Sequence, residues 1–180
     1  MKTFLISTSE LLQLWKLHHG YSPVRNDCVI TRNDGTDIDA ILLEQIRSWY
    51  IKSLSEIPID LLPCSDITDS LNLQPIDKSS AWSALPDNCF RVASVTATQW
   101  GKPALIVTDL SSAEAQAQSN PFSRADKEHP AAIVNSNTIT FFPAPESVES
   151  LSVKAVLMPD KDATEYPFTP VLLAQIPFSE

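Results

Sequence analysis

The sequence predicts an α+β domain, an N-terminal helical part with two main helices packed on a C-terminal antiparallel β-rich lobe. Three observations predict it. Apolar residues recur at helical spacing through the first third of the chain. From about residue 76, β-branched and aromatic runs alternate instead with Pro, Asn and Asp. The two kinds of segment are grouped rather than interleaved, which favours an antiparallel sheet over βαβ units. The helical part is placed at 1–75 and the β-rich lobe at 76–180, expected to form one compact unit. A chain of 180 residues is long enough for a real core.

The first element is a helix over about 8–19. Ser7-Thr8-Ser9-Glu10 fits a capping box, in which hydroxyl and carboxylate satisfy orphan amides reciprocally. Leu11, Leu14, Trp15 and His18 follow at helical spacing, and Gly20 supplies the stop. Residues 20–36 read as a loop with turn chemistry at Asn33-Asp34-Gly35. Thr36 or Asp37 then caps a longer helix, acidic in its first turn where the dipole favours it. Its stripe is Ile38, Leu42, Ile46, Trp49 and Leu54, widened by Ile41, Leu43 and Tyr50, broad enough for burial on more than one side. Pro58 ends it by pushing Ile57 out of helical space. A helical turn is expected at 66–71.

Strands are expected at 81–85, 90–98, 104–108, 131–134, 138–142 and 152–157. Asn135-Ser136-Asn137 reads as a short hairpin turn. Residues 111–119 read as one Ala-rich helical turn or a loop. No pattern assigns an element to the Pro-broken stretch 166–180.

Composition narrows function. Gly numbers only 3, so Gly-rich phosphate loops lack raw material, while 14 Pro make stiff connections. The formal net charge is −9 and the 13 basic residues are scattered, which argues against sequence-specific nucleic-acid binding. Acidity suits a surface past which DNA slides without sticking. The apolar stretch before Ser7 is shorter than the roughly 7–15 residues of a secretory h-region. No run approaches the roughly 20 apolar residues of a membrane span. Cys28, Cys64 and Cys89 are odd in number and far apart, and read as reduced thiols. Cytoplasmic synthesis and no membrane partner are expected.

No catalytic or metal constellation assembles in the sequence. His18 and His19 are adjacent, so on a helix they diverge by about 100° and chelate poorly. Counting an EF-hand from Gly35 puts Ile30, Arg32, Asp34 and Ile41 where ligands are needed, and three of those four fail. No Gly-x-Ser-x-Gly elbow occurs and no cysteine carries a nucleophile signature. The expectation is a non-enzyme without cofactors. Trp49 reads as core. Trp100, in the turn Gln99-Trp100-Gly101-Lys102-Pro103, reads as a core cap or as a contact residue.

The second half shows an ordered succession of segments. "CFRVASVTATQWGKPA" at 89–104 is followed by "QSNPFSR" at 118–124, "HPAAIV" at 129–134, "TITFFPAP" at 138–145 and "VESLSVKAVLMP" at 148–159. This succession resembles head–tail connector, or adaptor, proteins of tailed phages and prophages, particularly those of gut Bacteroidales. "DGTDIDAILLEQIRSWYIKSL" at 34–54 and "IPIDLLP" at 57–63 are similar to the helical part of that group. The resemblance implies a homo-oligomeric ring docked to other virion proteins such as a portal, without enzymatic activity, located in the virion. It places Trp100, Pro103, Asn120, Pro121, Phe122 and Arg124 in the matching stretches, with fold maintenance or ring contact as their role. The short 166–180 stretch departs from the further helix expected of such proteins. A small cytoplasmic interaction module and a hydrolase with hidden carboxylate or Cys chemistry stand as alternatives.

Overall fold

The computed structural model describes residues 2–18 and 37–176. The readings at His19, Gly20, Cys28 and Asn33-Asp34-Gly35 lie outside the described residues.

Strand β1 (Phe4–Ser7) runs straight into helix α1 (Thr8–His18). Ser7 makes the junction by the expected capping box. Its amide donates to the Glu10 carboxylate (3.1 Å), and the Glu10 amide donates back to the Ser7 hydroxyl (3.3 Å). Helix α2 (Ile38–Glu56) is capped by Asp37, whose carboxylate accepts from the amides of Asp39 and Ala40 at 3.0 and 3.2 Å. It stops at Ile57, before Pro58, as the proline requires. A 3-10 turn (Ile59–Leu61) and β2 (Ser65–Asp66) follow, then a second 3-10 turn (Thr68–Ser70) inside the predicted helical turn.

The strands are β3 (Gln74–Asp77), β4 (Ser80–Ala84), β5 (Cys89–Ala97) and β6 (Leu105–Val107). After helix α3 (Ala113–Ala117) come β7 (Ala131–Asn135), β8 (Thr138–Phe142) and β9 (Leu151–Leu157). The stretch without a predicted element holds β10 (Glu165–Phe168) and α4 (Pro170–Leu173). The fold class is α+β, with the long helices early in the chain and most strands later.

Two compact units divide the chain. One joins Met1–Pro63 with Pro159–Glu180, and the other is Cys64–Met158. The boundary expected at 75/76 therefore moves to 63/64, and the C-terminal stretch belongs with the helices. The reason is pairing and packing. β10 is the antiparallel partner of β1, and it brings Tyr166 and Phe168 against α2. Trp49 stacks on Phe168 at 6.4 Å between ring centroids, and Tyr50 meets Tyr166 edge-on at 5.1 Å. The Tyr50 hydroxyl donates to the Pro167 carbonyl (2.5 Å), and burial pushes that phenol well above its ordinary pKa. The buried stripe of α2 is narrower than expected. Leu42, Ile46, Tyr50 and Leu54 are buried, while Ile38 and Ile41 stay exposed.

In the second unit, a three-stranded sheet β2-β9-β5 and a five-stranded sheet β3-β4-β8-β7-β6 share one core. Val95, Val153 and Ala155 come from the first sheet, and Ala132, Ile139 and Phe141 from the second. All pairs are antiparallel except β6–β7, which is parallel. The β7–β8 hairpin closes on Ser136-Asn137, with Ser136 at φ 49°.

Candidate functional site

The parallel β6–β7 pair dictates an excursion. Antiparallel strands can be joined by a two-residue turn, but parallel ones need a crossover of about a dozen residues or more. Here the crossover is 108–130, which carries only the short α3. Stretches of this length in compact domains are commonly functional.

Side chains within the crossover hold it in shape. Ser112 caps α3, accepting from the Ala115 amide (3.2 Å). The buried Gln118 amide works in both directions: its Nε2 donates to the Glu114 carbonyl (3.0 Å) and its Oε1 accepts from the Ala125 amide (2.8 Å). The Asp126 carboxylate accepts from the amides of Glu128 (2.9 Å) and His129 (2.7 Å), which lowers its pKa, the His129 amide most.

Arg124 fastens this loop to the sheet. Its Nε donates to the Gln118 carbonyl (2.9 Å), and one Nη donates to Asp77 Oδ2 (2.8 Å) and Ser79 Oγ (2.6 Å) at the β3–β4 turn. The guanidinium carbon lies 5.5 Å from the Phe142 ring centroid. Phe142 faces away from the core that Phe141 enters, because strand side chains alternate. Asp77 is tuned for the task. The Ser79 amide first, then the Ser80 hydroxyl and the Arg124 guanidinium, hold its carboxyl far below the usual carboxylate range.

What the fastened loop presents is Phe122, a residue 100% exposed. Asn120, Pro121 and Ser123 around it are exposed too, and the Phe122 amide donates to the Asn120 side chain (3.0 Å). An exposed aromatic on a loop is a candidate contact residue. Beside it opens a cleft of about 610 Å³ with Pro103, Leu105, Ala117, Ala125 and Ala131 on its walls. Lys102, Glu114, Arg124, Asp126 and His129 also line it.

The six residues singled out in the sequence thus take different parts. Pro103 and Arg124 line the cleft, and Asn120, Pro121 and Phe122 form the adjoining tip. Trp100 is 7% exposed and belongs to the core, so its contact reading is corrected. The indole sits inside because the core gains from its large apolar area. Sequence reasoning missed Gln118, Asp77 and Ser79. Asp77-Lys78-Ser79 carried a legible signal, an Asp whose side chain bonds the amide two residues on (2.7 Å).

The polar groups of the cleft and tip are solvated or held by the loop itself. Asp126 and His129 stand beside each other, both solvated, at 3.5 Å. The Ser123 hydroxyl is engaged with the Ala117 carbonyl (3.0 Å). Elsewhere in this unit, desolvation raises the pKa of the half-buried Cys64 and Cys89 thiols, which disfavours the nucleophilic thiolate. Among the described residues, no three His, Cys, Asp or Glu side chains gather into a metal site, and no helix is long and apolar enough to cross a membrane. No known protein-family model matches this sequence, and no curated protein matches it significantly.

Proposed function

We propose that this chain is a structural, assembly-type protein that acts by docking rather than by catalysis, in the manner of the head–tail connectors its sequence resembles. One observation carries the reading: a fully exposed Phe122 is held on a loop that Arg124 and Gln118 fix in place. Fixing an aromatic in its bound arrangement lowers the ordering cost of association. That is what a docking surface needs. The negative net charge fits a component that DNA passes without sticking.

The test is reconstitution with the proteins encoded beside it. Light scattering and electron microscopy of the purified chain with a neighbouring portal or capsid protein are expected to reveal a defined joint assembly. Phe122→Ser is expected to weaken that assembly by roughly tenfold or more without lowering the melting temperature. Failure to associate with any such neighbour would sink the connector role.

A further inference from the structure

The Phe122 tip and the cleft beside it form a self-complementary pair, and we propose that this patch binds a second copy of the same chain about a two-fold axis, each Phe122 entering the partner's cleft. The inference rests on the reading of Phe122 as a docking residue, not on the connector role, and names a second copy of the chain as its occupant.

Ser123 and Arg124, which line the cleft, directly follow Phe122 in the chain. The aromatic therefore stands at the rim of its own cleft, yet its complete exposure means that it does not fill it. The cleft holds about 610 Å³, room for the Phe122 ring together with Pro121, and Leu105 on its wall is 56% exposed. A projection and a recess side by side on one patch are both satisfied at once only when two such patches meet face to face. If they lay on opposite faces, head-to-tail contact would follow instead.

Charge points the same way. Lys102 and Glu114 both line the cleft and are exposed, and neither has an ion-pair partner among the described residues. A patch holding one unpaired cation and one unpaired anion is complementary to itself under a two-fold rotation.

A patch built on one aromatic and one cleft belongs with weak, reversible interfaces. The experiment is sedimentation velocity of the full chain alone, from about 1 µM to 1 mM. A concentration-dependent monomer–dimer equilibrium is expected. Phe122→Ser and, separately, Leu105→Arg on the cleft wall should each raise the dissociation constant at least about tenfold. Both positions are exposed, and unchanged circular dichroism and melting temperature establish that the variants fold. Lys102→Glu and Glu114→Lys should each weaken the dimer, and the double exchange should restore it. A monomer throughout, a dimer indifferent to Phe122→Ser and Leu105→Arg, or open-ended growth beyond the dimer overturns the proposal. A chain that stays monomeric yet joins a neighbouring virion protein through Phe122 overturns the two-fold dimer and leaves the docking role standing. A Phe122-dependent dimer that joins no virion protein supports the dimer and removes the connector role.

Discussion

Arg124 shows how one side chain can serve a surface without being the surface. Its planar fork joins the loop backbone at Gln118 to Asp77 and Ser79, while its face covers Phe142. Arg124→Ala should lower stability by about 1–2 kcal/mol, the range for charge-assisted bonds discounted for partial exposure. It should also speed amide exchange across 118–126, readable by mass spectrometry. Arg124→Lys should recover less than half of the loss, because a point charge cannot replace the fork. Asp77 adds a pH signature. Its folded pKa lies below the unfolded value, so its stabilisation is present above about pH 4 and disappears as pH falls toward the folded value. The melting-temperature gap between the wild type and Asp77→Asn should therefore narrow below about pH 4. Ser136 has the opposite character, a non-Gly residue at φ 49° in the β7–β8 turn. Ser136→Gly should raise stability by up to about 1 kcal/mol in a denaturant titration. At this scale the sequence marked Arg124 and Phe122 as residues of interest. It could not separate clamp from contact, since that depends on Asp77, 47 positions away.

Elements with local signals were legible. The Ser7–Glu10 box, the Asp37 cap and the stop before Pro58 are encoded within a few residues of where they act. Two of the missed strands share a cause. β3 contains Pro75 and β10 contains Pro167, and proline inside a run demotes it as a strand candidate. Both lie where proline is tolerated, β3 at a sheet edge and β10 in a two-stranded ribbon. The parallel β6–β7 pair was equally hidden, because β6 is three residues long and nothing in its composition declares a direction. Thr169 is a buried example. Its hydroxyl accepts from the Leu172 amide (3.3 Å) to cap α4 and donates to the Leu61 carbonyl (2.8 Å). Thr169→Val keeps the shape and removes both bonds, so chemical denaturation should show a loss of about 1–3 kcal/mol.

For the molecule as a whole, the two units differ in how the chain supplies them. Cys64–Met158 is continuous and carries its own two-sheet core, whereas the helical unit needs segments from both ends. A fragment 64–158 should unfold cooperatively by itself, with dispersed amide resonances. A fragment 1–63 should not, since it lacks β10 and the Tyr166 and Phe168 rings that Tyr50 packs against. The sequence by itself determined the class: periodicity and capping are local, so helices early and strands later followed from short windows of residues. It also determined the acidic charge and the scarcity of Gly. Only the tertiary structure decided that the C-terminal stretch returns to the helices, that Trp100 is core, and that Phe122 stands exposed beside an apolar cleft. Those outcomes depend on contacts between residues tens of positions apart, where burial and pairing, not local propensity, set the balance.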